Sequence, residues 1–288
     1  MLKVYTLEES KKWDEIVRSF KNFDVYYLSG YVKAFKIHND GEPLLFHYEE
    51  EGIRGINVVM KRDISNCEYF KNITSKNTYF DLATPYGYGG WILEGDFAKK
   101  QMLFSEYESW CIKNNIVSEF VRFHPVLENA DFSRENYEVI DLGNTVCLDI
   151  SNPEVIWANI TSKNRNVIRK AEKSGVQIHI SEEQEIYEKF TEIYNKTMQH
   201  DNADEYYYFA KEFYESIRND LRENAKVFRK IFELCFSKCK NNTNREKSLL
   251  KNQLFALRLR VLCGKNVDFV LIFLFFLCFP LDKCVRFG

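Results

Sequence analysis

The stretch SKNRNVIRKAEKSGVQIHI, residues 162–180, sets a short basic helix against a glycine stop and a strand. Lys163, Arg165, Arg169, Lys170 and Lys173 stand there against a single acid, Glu172. Gly175 suits the position after the last helical turn, because a residue without Cβ enters the left-handed conformation without a clash. Residues 176–180 then read as a strand. A helix that stops on glycine and gives way to a strand places the chain among folds that use both elements.

Outward from this unit the alternation continues. Thr6 with Glu9 forms a capping box that opens an amphipathic helix, with Trp13, Ile16, Val17 and Phe20 on one face. A short helix after Ser29 carries Tyr31, Val32 and Phe35. Residues 43–49 and 53–62 read as a hairpin about Glu51-Gly52. Residues 79–83 form a third strand that runs into the glycine-rich loop TPYGYGGW, residues 84–91. Residues 96–113 have helical spacing. Residues 116–123 read as a strand ended by His124-Pro125, and 139–142 and 146–150 as two more around Gly143-Asn144. Ser151 with Glu154 suggests a second capping box, and Pro153 fits the first turn of its helix. Downstream, Ser181 with Gln184 caps a helix bearing Ile186, Phe190, Ile193, Tyr194 and Met198. A further helix carries Tyr206, Tyr207, Phe209, Phe213, Ile217 and Leu221, and a strand starts near Ala225. The expected fold class is α/β, or α+β with a mixed sheet.

The 288 residues are 45% apolar and 16% aromatic, enough for one large or two medium domains. Net charge is −2, which by itself points to no partner and gives no reason to expect DNA. The first residues lack the apolar core and cleavage site of a signal peptide, so the expected location is cytoplasmic. The eight cysteines then read as free thiols.

Composition breaks near Phe228. Residues 229–288 hold 12 Lys and Arg against 4 Asp and Glu, while residues 1–228 hold 28 against 38. All 17 Tyr and all 4 Trp precede the break, and five of the eight Cys follow it. The expectation is a shifted reading frame or a mis-joined end after Phe228. Within this tail Cys235 and Cys239 have no supporting ligand pair, so no metal is expected. The apolar run 269–281 is short for a membrane span and suggests only a membrane association.

Three motifs together carry a resemblance. Residues 162–176 are the first. Tyr194-Asn195-Lys196-Thr197-Met198, followed by Asn202-Ala203 and the aromatic cluster Tyr206-Tyr207-Tyr208-Phe209, are the second. The loop Tyr86-Gly87-Tyr88-Gly89-Gly90 is the third. Their order resembles the FemAB-like branch of the GNAT acyltransferase superfamily, which includes BioF-type domains, over about residues 1–228. His200 stands where that family often has Arg. The resemblance implies tandem GNAT-like domains: 1–150, an incomplete second domain at 151–228, and the anomalous tail 229–288. It also implies acyl or aminoacyl transfer to an amine on a cell-envelope or sugar-linked precursor. The donor would be acyl-CoA or aminoacyl-tRNA, and the acceptor an anionic or muropeptide-like molecule. The acyl-CoA loop that the family places in its second domain would fall in the anomalous tail, which leaves a non-catalytic binding module for an anionic, diphosphate-linked ligand as the alternative.

Residue chemistry adds candidates. Lys163 and Arg165 lie in the first turns of a helix, where cations oppose the dipole at a cost of about 0.3–1 kcal/mol each. A bound diphosphate would explain that cost; solvation, or pairing with neighbouring acids, is the plainer explanation. Tyr86 and Tyr208 are candidate substrate contacts, and His200 and Tyr207 candidate catalytic groups. At least two rings of the cluster 206–209 are expected in the core, and the glycine loop reads equally as a tight turn.

Overall fold

The computed structural model describes residues 1–50, 52–143, 152–181 and 183–232. The expected strand at 146–150 and everything proposed for residues 233–288, including the cysteine pair and the apolar run, lie outside the described residues. The chain forms two compact units. The first comprises Met1–Cys147 and Tyr187–Asn224, and the second comprises Leu148–Ile186 and the residues from Ala225 on.

The first unit is built on a mixed sheet. Strands β1 (Leu2–Tyr5), β2 (Glu42–Glu50), β3 (Ile53–Asp63) and β4 (Phe80–Ala83) are successive antiparallel neighbours. A short strand missed in the sequence, β5 (Ile92–Gly95), pairs with the first half of β3, Ile53 opposite Gly95. β4 pairs with the second half, Met60 opposite Ala83. Two short strands therefore lie end to end along one edge of β3, and the loop 84–91 fills the gap between them. The last strand, β6 (Ile116–Phe120), runs parallel to β4. A parallel neighbour requires a crossover, and α3 (Lys100–Lys113) supplies it. β6 is shorter than expected: residues 121–123 lie beyond it, with an isolated bridge between Gly89 and Phe123.

β2 is buried at consecutive positions from Pro43 to Phe46, the pattern of a strand covered on both faces. Phe46 packs edge-on to Tyr107 and Trp110 of α3. On the other side lie α1 (Ser10–Arg18) and α2 (Ser29–Ile37). The apolar face expected for α1 is buried through Trp13, Ile16 and Val17. The expected capping box does not open it: Thr6 instead caps the preceding 3-10 turn Leu7–Glu9 through the Glu8 N–H, and Glu9 at the N-cap of α1 makes no side-chain cap bond. The second segment returns to cover α2. From Tyr187 onward, α6 (Gln184–His200) belongs to the first unit, as does α7 (Lys211–Ser216). Phe213 of α7 is fully buried and meets Phe35 of α2 at 5.1 Å. The expected long helix over 206–221 is instead broken: a 3-10 turn at Glu205–Tyr207, then α7, then a π turn at Ile217–Leu221. The break sets Tyr206–Phe209 ahead of the helix rather than on its face.

Residues 139–142 form no strand. Ile140 and Leu142 are among the most exposed apolar side chains, Asp141 is tied to Arg134 at 2.8 Å, and no strand among the described residues pairs with them.

A carboxyl group is enclosed in this unit. Glu119 of β6 accepts a hydrogen bond from the Tyr137 hydroxyl at 2.9 Å and a long one from Asn57 Nδ2 at 3.4 Å. Burial pushes its pKa up to about 7, against the lowering effect of those partners. The same burial, with the charge of Glu119, pushes the Cys111 thiol up to about 12. Asn57 Oδ1 is buried and accepts no hydrogen bond among the described residues.

In the second unit, α4 (Pro153–Asn159) and α5 (Ser162–Lys173) are separate helices that precede β7 (Val176–Ser181). The cap of α4 is Asn152, one residue later than expected; its side chain accepts the Glu154 N–H at 2.9 Å. Thr161 caps α5, and Gly175, at φ +74, ends it as the sequence predicts. β7 pairs antiparallel with β8 (Val227–Phe232), Val176 opposite Phe232.

Candidate functional site

The carboxyl ends of the parallel pair β4 and β6 open onto the loop 84–91. In open sheets with parallel strands, ligands bind at such ends, where neighbouring connections diverge. Here the loop is pinned from several sides. Thr84 N–H donates to the Phe120 carbonyl at 3.0 Å, and Arg122 N–H to Thr84 Oγ1 at 2.9 Å. Gly89 N–H donates to the Arg122 carbonyl at 2.9 Å. Buried Asn129 donates to the Gly89 and Trp91 carbonyls, and Tyr27 to the Gly90 carbonyl at 2.7 Å. The glycines are required by geometry. Gly87 has φ +111, and a Cβ there would fall 2.4 Å from the Tyr26 ring.

A buried His–Asp pair braces the segment after β6. His124 Nδ1 accepts the N–H groups of Val126 and Leu127, both at 3.2 Å, so Nε2 carries the ring proton. Nε2 donates to Asp24 Oδ2 at 3.0 Å. Tyr26 and Tyr88 pack on the imidazole with centroids 6.1 and 5.5 Å away. Burial and the Asp24 carboxylate push the Tyr26 phenol well above its usual range. This pair is enclosed and serves as a brace rather than a reacting couple.

On this frame stands an aromatic ledge. Tyr86 lies at the loop's crest, with Phe35 nearly parallel behind it at 5.9 Å. Tyr206 meets Tyr86 at 6.2 Å with ring planes tilted by 40°, and Tyr207 meets it edge-on at 6.5 Å. The Arg122 guanidinium lies over the Tyr86 ring at 6.0 Å, the outer limit of a cation–π contact. Arg122 is half-buried and has no carboxylate partner among the described residues. At the other end, the Tyr206 hydroxyl donates to Asp40 Oδ2 at 2.7 Å, and the Tyr206 carbonyl lies 2.8 Å from His38 Nε2. Burial raises the Asp40 pKa, with Tyr206, His38 and Arg62 acting against it. Burial and Asp40 together push the Tyr206 phenol far up, so it stays a hydrogen-bond donor.

The structure brings two sequence candidates together, Tyr86 and Tyr207. Tyr207 is half-buried, and its carbonyl accepts the Tyr194 hydroxyl at 2.7 Å. Phe209 is core, as expected for part of the cluster, while Tyr206 and Tyr208 are each more than a third exposed. His200 sits exposed at the end of α6, its Nδ1 2.9 Å from Asp201 Oδ1. Lys163 and Arg165 stand on α5 in the second unit. Lys163 is exposed. Arg165 turns back on the preceding helix and donates to the carbonyls of Trp157 and Ala158 at 3.1 and 3.2 Å. A guanidinium at those terminal carbonyls caps α4 and complements its dipole. Arg169 covers the Trp157 ring at 5.4 Å.

Arg122 and Asp40 were missed in the sequence. The signal for Arg122 was its place in Arg122-Phe123-His124-Pro125, just beyond a strand end beside the glycine loop. Asp40 lay hidden in the turn Asn39-Asp40-Gly41. Among the described residues, no cluster of His, Cys, Asp or Glu could hold a metal ion, and no helix is long and apolar enough to cross a membrane. No protein-family model matches the chain, and no curated protein is similar to it, so the functional reading stands on the ledge and on the motifs that compose it.

Proposed function

We propose that the protein is an acyltransferase of the FemAB-like kind that moves an acyl or aminoacyl group onto an amine, with the ledge as the acceptor site. The observation that carries this reading is Arg122: a half-buried guanidinium without a carboxylate partner among the described residues, set over Tyr86 at the carboxyl ends of β4 and β6. Such a cation suits an anionic acceptor, and the tyrosines suit a ring. The mixed sheet with its α3 crossover supports a GNAT-like first unit. The helices α4 and α5 followed by β7 and β8 support the opening of a second. The donor is acyl-CoA or aminoacyl-tRNA, and the setting a cytoplasmic step in bacterial cell-envelope or polysaccharide assembly. Transfer of this kind depends on placing donor carbonyl and neutral amine together, with N–H donors for the developing oxyanion and a base for the ammonium proton. His200 is accessible for that last task, and Tyr207 can place the ring.

The test is direct. Purified protein is incubated with acetyl-CoA, or with charged tRNA, and an amino sugar acceptor, and the acylated product is sought by mass spectrometry. Product formation that falls on Arg122→Gln supports the reading; no product from either donor refutes transfer. A second reading, a binding module for an anionic ligand, is favoured by His200, which among the described residues pairs only with the adjacent Asp201. Ligand binding without turnover supports it.

A further inference from the structure

The ledge has unlike ends. Arg122 presents a guanidinium at one end, and Asp40 a carboxylate at the other, with the tilted rings of Tyr86 and Tyr206 between them. The cations that act on Asp40 are His38 and Arg62. Arg62 is itself committed, donating through Nε and Nη2 to Asp81. His38 is engaged with the Tyr206 carbonyl. Asp40 Oδ2 holds the Tyr206 hydroxyl, whereas Oδ1 accepts no hydrogen bond among the described residues. One step of 6.0 Å leads from the guanidinium to the Tyr86 ring, and one of 6.2 Å from that ring to the Tyr206 ring. That layout suits a ligand with a cyclic body between its charges better than an α-amino acid, whose charges share one carbon.

We propose that the ledge recognises an amino sugar bearing a phosphate ester, with phosphate on Arg122, the sugar's C–H face against Tyr206 and Tyr86, and the ammonium on Asp40. This deepens the acceptor-site reading above and rests on it for its biological sense, but its test needs no turnover. A phosphate oxygen pair matches the planar donor fork of arginine. The partly buried carboxylate at the other end selects an ammonium over a hydroxyl or an acetamide, because only the ammonium offsets its charge. Asp40 would then hold the very nitrogen that becomes acylated.

Calorimetric titration of the full chain tests this with four probes: glucosamine 6-phosphate, glucose 6-phosphate, N-acetylglucosamine 6-phosphate and glucosamine. The expected result is that the first binds about tenfold or more tighter than each of the others. Asp40→Asn removes its advantage over glucose 6-phosphate, and Arg122→Gln its advantage over glucosamine, while Arg122→Lys keeps part of the latter. Near-ultraviolet circular dichroism identifies any variant that fails to fold, and the wild-type ranking then decides alone. Equal affinity for the four probes, no binding of any, or an amine preference that survives Asp40→Asn overturns the proposal. Binding in the expected order without acyl transfer upholds it and removes the transferase reading. Acyl transfer to amines with no preference for phosphate does the reverse.

Discussion

Replacing Glu119 by Gln will make the first unit more stable at alkaline pH and flatten its pH dependence. The carboxyl, on β6, lies against Asn57 of β3 and Tyr137, and burial raises its pKa from 4.5 to about 7. A raised acid pKa means that the folded state holds its proton more tightly than the unfolded chain does. The neutral carboxyl therefore contributes its full stability below the unfolded value. That contribution falls as pH rises through the window between the two values, and it is gone above about pH 7. At 1.36 kcal/mol per unit, the ionised group costs on the order of 3 kcal/mol relative to the neutral one. Gln stays neutral throughout, its carbonyl can still accept from the Tyr137 hydroxyl, and its amide can reach for the unpaired Asn57 Oδ1. Urea unfolding followed by tryptophan fluorescence, with Trp91 buried in the same core, gives the stability of both proteins from about pH 4.5 to 8. Carboxylates held below their usual range, such as Asp63 and Glu94, lose their contribution as pH falls. The quantity to read is therefore the difference between the two proteins. It should widen toward alkaline pH by about 2–3 kcal/mol in favour of Gln. A constant difference, or one that widens toward acid, would refute the account of an enclosed, proton-holding Glu119.

Three further outcomes follow from the brace, the loop and the α4 cap. His124→Phe leaves Asp24 enclosed without its donor and orphans two backbone N–H groups; thermal denaturation should show a loss of about 2–4 kcal/mol. At Gly90, φ is +91 and a Cβ would approach Phe123 and Asn129 to 2.9 Å. Gly90→Ala should cost about 1–3 kcal/mol and weaken ligand binding at the ledge, whereas Gly52→Ala, open around its Cβ position, should leave binding unchanged. Arg165→Ala removes the cap on the α4 carbonyls, at about 1 kcal/mol. Hydrogen exchange should quicken over residues 153–160, and diphosphate affinity should hold steady; a loss of that affinity would return Arg165 to the role of a ligand contact.

The parts of this fold that were legible in the sequence are those written locally. The apolar face of α1, the β2–β3 hairpin and the glycine after α5 each follow from spacing within a few residues. β5 escaped because four residues, Ile92–Gly95, gain their strand character from Ile53–Ile56, far earlier in the chain. Residues 139–142 misled in the opposite sense: among the described residues no strand pairs with them, and Ile140 and Leu142 stay exposed. The helix expected through Leu221 starts only at Lys211, after a turn capped by Asp204 in which Tyr206 reaches Asp40 across 166 positions. The ledge divides in the same way. Tyr86 and Tyr207 announce themselves in motifs. Arg122 and Asp40 sit in a strand end and a turn, and only tertiary structure makes them neighbours of the same two rings. The basic helix that stood out in the sequence has, at Arg165, a local explanation in the carbonyls of the helix before it.

The first unit is assembled from two passes of the chain, and this has a bearing on how it comes into being. A ribosome that has delivered only the first 147 residues has delivered Asp40, Tyr86 and Arg122, but neither Tyr206 nor the Phe213 that seals Phe35. The nascent segment thus holds both charged ends of the ledge without the ring that spans them, and it shows the bare apolar side of α2 to chaperones. The ledge is complete only once residues 187–224 return to the first unit. A product interrupted before that point would lack Tyr206 and would leave Phe35 without its Phe213 cover.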